Sequence, residues 1–163
     1  MAKGDIMPFE SAGPAKMTGS LKYAVNSGTT ASINAGEPVQ KAAGAAYVAL
    51  AATNFPTTTL RVVGVAASAS TETASATGTV DVVPATNGQL WLIAPKVAAT
   101  WNTQAKYNAL VGSRVLIDLT TAVFTILATD GASNGCIVEY LDIARYPGMV
   151  AFSWSPLCDY RNV

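Results

Sequence analysis

Apolar positions in this chain mostly alternate with polar ones or form short continuous runs, and they seldom recur at helical spacing. In GTVDVVP, Val80 and Val82 share one side while Asp81 and Val83 share the other, the period of a half-buried strand. LRVVGVAAS places Gly64 inside a strand-like run, a position that marks a bulge or a close backbone approach. INAGEPVQKA sets Gly36 and Pro38 beside another short strand, and AYVALAA alternates loosely. NFPTTTL has the β-branched threonines of an edge strand, with Pro56 barring a central position. Asn87-Gly88, between GTVDVVP and QLWLIAP, is the strongest short hairpin signal and predicts that those two strands pair. GSRVLIDLTTAVFTILAT predicts two adjacent strands about Thr120 and Thr121. SNGCIVEYLDIA and GMVAFSWS predict a last pair turning at Tyr146, Pro147 and Gly148.

One segment departs from this. WNTQAKYNALVG predicts a helix over residues 102–110 that stops at Gly112, with Trp101, Ala105 and Ala109 at four-residue spacing. The expected class is therefore mainly β: a small β-barrel or sandwich with one short helix and an extended N-terminal arm. Residues 1–32 are read as that arm, because isolated large apolar residues among Gly, Pro, Ser and Lys keep no period there. Residues 33–163 are read as the β domain. Met7, Pro8, Phe9, Met17, Leu21 and Tyr23 are the arm's candidate anchors on a neighbouring chain.

Composition then changes the picture from fold to surface. With 163 residues the chain suits one domain and can bury about 70% of its unfolded surface, so it needs no disulfide or metal to fold. Only 12% of residues are charged, about half the usual quarter, and the net charge is zero. Half the residues are apolar, which sets the chain apart from disordered sequences. Residues 61–84 carry only three charges, Arg61, Glu72 and Asp81, around an Ala/Ser/Thr stretch too small to build a core. A folded protein with so uncharged a surface is expected to meet other protein.

Several chemistries lack their residues. The ten basic residues are scattered rather than striped, so nucleic acid is not an expected partner. The longest apolar run, residues 42–52, is eleven residues where a membrane span needs about twenty. Asp5, Pro8 and Glu10 interrupt the first residues before a secretory h-region could form. There is no histidine, which removes the usual nucleophile pairs and the commonest metal ligand. Cys136 and Cys158 have no metal or redox spacing and are read as reduced thiols. Asp118, Asp130, Glu139 and Asp142 could pair for hydrolytic work by residue type, but each suits a strand end, a turn or a wet strand face better. Trp91, Trp101 and Trp154 could stack a sugar or a base, but are assigned to the core or a trimer interface. No catalytic residue, cofactor, metal site or small-molecule substrate is expected, and the chain is not read as an enzyme.

The succession TLRVVGVAASAS, TASATGTVDVVPA, QLWLIAP and LVGSRVLIDLT resembles the small β-barrel decoration, or cement, proteins of tailed-bacteriophage heads. The resemblance covers residues 33–129 and rests on the order of these segments, since none carries a catalytic signature. It implies a homotrimer on the outer capsid surface that bridges major capsid subunits, made in the host cytoplasm before assembly. Small uncharged side chains suit such a role, because they cost little side-chain entropy on ordering. The resemblance also implies that other subunits cover the Ala/Ser/Thr stretch. A tail-tube or head-completion virion protein and a carbohydrate-binding module using the tryptophans are the alternatives.

Overall fold

The computed structural model describes residues 6–8, 20–28, 32–85, 89–120 and 123–158. Within them the chain is mainly β, with one short helix and a sandwich-like arrangement of antiparallel sheets that does not close into a barrel. The strands are β1 (Met7–Pro8), β2 (Leu21–Val25), β3 (Pro38–Ala42), β4 (Ala49–Leu50), β5 (Leu60–Ala66), β6 (Gly78–Pro84) and β7 (Leu90–Ile93). They continue with β8 (Arg114–Val115), β9 (Ile117–Thr120), β10 (Val123–Ile126), β11 (Cys136–Val138) and β12 (Val150–Trp154). The helix, α1, is Gln104–Asn108. One sheet has the order β1-β7-β12-β11-β8, the other β2-β6-β5-β3-β4, and β9 and β10 form a separate hairpin.

Burial on both faces explains the long apolar run of β5. Val62 and Val65 join the main core with Trp91, Phe152 and Trp154 of the first sheet. Val63 and Ala66 join a smaller cluster with Val25, Val39, Val80 and Val82. Regular alternation would put Val63 and Val65 on one face. The register slips between Val39 and Gln40, which pair with Gly64 and Val62, and this extra residue swaps the faces. At Gly64 a Cβ would lie 1.9 Å from the Val83 carbonyl oxygen, so the expected close approach is real. The smaller cluster packs against the second sheet, and a single bridge from Val25 to Val48 links the end of β2 to the residue before β4.

The β9–β10 and β11–β12 pairs form as their sequences predict. Two local expectations are corrected. GTVDVVP and QLWLIAP do not pair: β6 lies between β2 and β5, whereas β7 lies between β1 and β12, so the chain crosses between sheets there. Asn87 and Gly88 themselves fall outside the described residues. NFPTTTL is not an edge strand. Phe55 is fully buried and makes a single bridge to Ile117, and Thr57 closes a turn by bonding Leu60 and Thr59.

Candidate interaction surfaces

The segment read as an arm contributes a strand to each sheet. Ile6 is buried in the main core, and its N–H donates to Gly36 O at 3.0 Å. Met7 and Pro8 pair with Leu92 and Trp91 at the edge of the first sheet. Leu21 and Tyr23 pair with Val82 and Val80 at the edge of the second. Tyr23 packs against the smaller core cluster, while Leu21 remains 49% exposed. Phe9 and Met17 lie outside the described residues.

Trp91, Trp101 and Trp154 are all buried in the main core of a single chain. Trp154 meets Phe55, Trp91 and Phe152, edge-on to the two phenylalanines and tilted to Trp91, with centroid separations from 4.8 to 6.3 Å. Trp101 packs edge-on to Tyr107 at 5.5 Å. None of the three offers an open face on which a sugar ring could stack.

The four carboxylates singled out in the sequence each hold local structure. Asp118 is buried and ion-paired to Lys96. Asp130 accepts the Arg114 backbone N–H at 2.8 Å, and Asp142 accepts that of Ala144 at 3.0 Å. Glu139 accepts the Ser153 hydroxyl at 2.6 Å. Among the described residues no group of three or more His, Cys, Asp or Glu side chains could hold a metal ion. Both cysteines are free and buried. Burial pushes both thiols up, that of Cys136 further because Cys158 is nearby, while Arg114 and Arg61 partly offset the effect at Cys158. Neither is poised as a nucleophile.

The helix carries a residue that the sequence did not advertise. Tyr107 is fully buried, and its hydroxyl fills a gap in the ladder between β12 and the residue after β11. Glu139 N–H donates to Ala151 O at 2.9 Å. In place of the reciprocal bond, Ala151 N–H donates to the Tyr107 oxygen at 2.8 Å, and the phenol donates to Glu139 O at 3.0 Å. Gln104 extends the attachment, donating to Leu141 O and accepting from Ile143 N–H. This short helix is therefore bolted to the sheet and presents its other side to solvent, where Lys106, Ala109 and the neighbouring Val111 are exposed.

The Ala/Ser/Thr connector between β5 and β6 is also ordered by its own side chains. Ser70 Oγ accepts the Ile33 N–H and donates to Ile33 O, and Thr71 Oγ1 accepts the Thr79 N–H at 3.0 Å. Ser68 Oγ bonds the Asp81 carboxylate, and Thr73 Oγ1 accepts the Ala76 N–H. At Gly78 a Cβ would sit 2.0 Å from the Glu72 backbone nitrogen, so the connector lies directly on β6. Residues 73–77 are all exposed, and none of them is charged. No family model, curated protein or solved structure matches the chain.

Proposed function

We propose that this chain is a structural protein of a virion, one that decorates the outside of a tailed-phage capsid and reinforces it by bridging major capsid subunits. The observation that carries this reading is the connector: a loop held in shape by Ser and Thr hydrogen bonds to its own chain, whose only charge is Glu72 and whose exposed tip, residues 73–77, has none. Such a tip gives up little conformational entropy on being covered and itself carries no charge to desolvate, which suits a contact repeated over many identical sites. The resemblance of the strand succession to phage head decoration proteins points the same way, and the tight apolar core supplies a rigid body. In this reading the protein is not an enzyme. Its partners are the major capsid protein and two further copies of itself, and it resides on the virion surface. Three copies acting together would bind through effective concentration more than through one tight contact.

The test is cosedimentation of the purified chain with expanded heads assembled in its absence. Saturable binding at a fixed ratio to capsid subunits supports the reading, and a chain left in the supernatant at every head concentration contradicts it. Light scattering gives the oligomer separately, with a species of about 50 kDa, three times the 16.8 kDa chain, expected for the trimer.

A further inference from the structure

The exposed side of α1 forms an apolar groove with the 3-10 turn Ala98–Thr100. Ala99, Thr100, Lys106, Ala109 and Leu110 line it; it is shallow and open to solvent, with a volume of about 410 Å³, so it suits a few side chains of a partner laid across it more than an enclosed small molecule. The apolar surface continues along the chain at either end of this lining, at Val97 and Val111, which are 56% and 40% exposed. The turn and the helix are both fixed: Thr103 caps α1 by accepting the Lys106 N–H, and Tyr107 and Gln104 anchor the helix to the sheet.

The groove has one formal charge. No Asp or Glu occurs between Asp81 and Asp118, and among the described residues Lys106 has no carboxylate partner. Its ammonium is nevertheless held in place, donating to Ala99 O at 2.9 Å and Asn102 Oδ1 at 3.0 Å. A lysine ammonium has three donors, so one remains for an incoming acceptor. Pinning the side chain beforehand lowers the entropy cost of using it. A second copy docked face to face through this groove would bring two Lys106 side chains together with no carboxylate between them.

We propose that this groove docks a segment of a different protein, one that inserts apolar side chains against Ala109 and Leu110 and sets a carboxylate on Lys106. The inference stands on the groove alone and holds whether or not the partner is a capsid subunit.

The test is an amide-resolved NMR titration of the full chain with two capped seven-residue peptides of Leu, Ala and Ser, identical except for a central Glu or Lys. The Glu peptide is expected to shift the amides of Ala99, Thr100, Lys106, Ala109 and Leu110 and to bind about two- to fivefold tighter than the Lys peptide, the strength of a partly exposed ion pair. Lys106→Glu, on the protein surface, is expected to reverse the preference, and Lys106→Gln to abolish it. The proposal is overturned by shifts that fall elsewhere or nowhere. Equal affinity for the two peptides, a preference that survives Lys106→Glu, or groove amides that shift with protein concentration alone would overturn it equally.

Discussion

Replacing Tyr107 with Phe removes one oxygen atom and leaves the ring, so it isolates the bridge between Ala151 and Glu139. The Ala151 N–H and the Glu139 carbonyl would lose the phenol that joins them at 2.8 and 3.0 Å. A buried donor left without a partner costs about 1–3 kcal/mol, so Tyr107→Phe should lower unfolding stability at pH 7 by about 2 kcal/mol. The same hydroxyl makes a second, pH-dependent claim. Burial, aided by Glu139, pushes the phenol from 10.0 up to about 12. Above pH 10 the unfolded chain releases this proton while the folded chain keeps it, so the native state loses stability as pH rises toward 12. A rise from 10.0 to about 12 corresponds to a loss of roughly 2 kcal/mol, and less where solvent screens the phenolate, once both states have titrated. Tyr107→Phe has no such group. The stability gap between wild type and variant should therefore shrink between pH 9 and pH 12, even though alkaline conditions weaken both proteins. Urea denaturation followed by tryptophan fluorescence across that range measures the gap. A gap near zero at pH 7, or one that stays constant to pH 12, would refute the bridge.

Other outcomes follow from the close contacts and the core. Gly64→Ala would force a Cβ to within 1.9 Å of the Val83 carbonyl, which cannot move without parting β5 from β6, so a loss of about 3 kcal/mol or more in urea unfolding is expected. Gly131→Ala meets only the Asn134 side chain, at 2.9 Å, and should cost about 1 kcal/mol; similar losses for the two variants would contradict the packing described. Because Cys136 and Cys158 are buried and their thiols are pushed up, a thiol reagent should label neither in the native protein and both in urea. Rapid native labelling of either would show that the core around β11 opens.

What the sequence made legible depended on how local the cause was. The alternation in GTVDVVP is set by one strand's two faces, and the structure buries Val80 and Val82 together. Gly64 signalled its contact because only a missing side chain lets backbones come so close. The helix was legible, although it is shorter than the 102–110 expected: it runs Gln104–Asn108, with Thr103 as its N-cap and Gly112 at φ 84° beyond it. The Asn87-Gly88 signal misled because it describes only the link. Whether β6 and β7 pair depends on distant strands, and β12 and β2 occupy the neighbouring positions instead. That Leu21 and Tyr23 lie on a strand of the second sheet was not legible, because the strand they pair with, β6, lies about sixty residues further along the same chain; Leu21 keeps 49% of its surface exposed. The Tyr107 bridge left no local trace, since a tyrosine in a short amphipathic helix looks like any core aromatic. The groove at Lys106 was equally hidden. Its one readable sign is the absence of acidic residues between Asp81 and Asp118.

The central claim is that an uncharged surface of this chain is covered by capsid protein. Its most direct measurement is a binding isotherm on expanded, undecorated heads at about 0.05 M and about 0.5 M salt. The account predicts saturation at a fixed ratio to capsid subunits, with an affinity that changes less than about fivefold between the two conditions, because exposed charge pairs contribute little to such a contact. Absence of binding at either salt concentration would contradict it, and so would binding that collapses at the higher one.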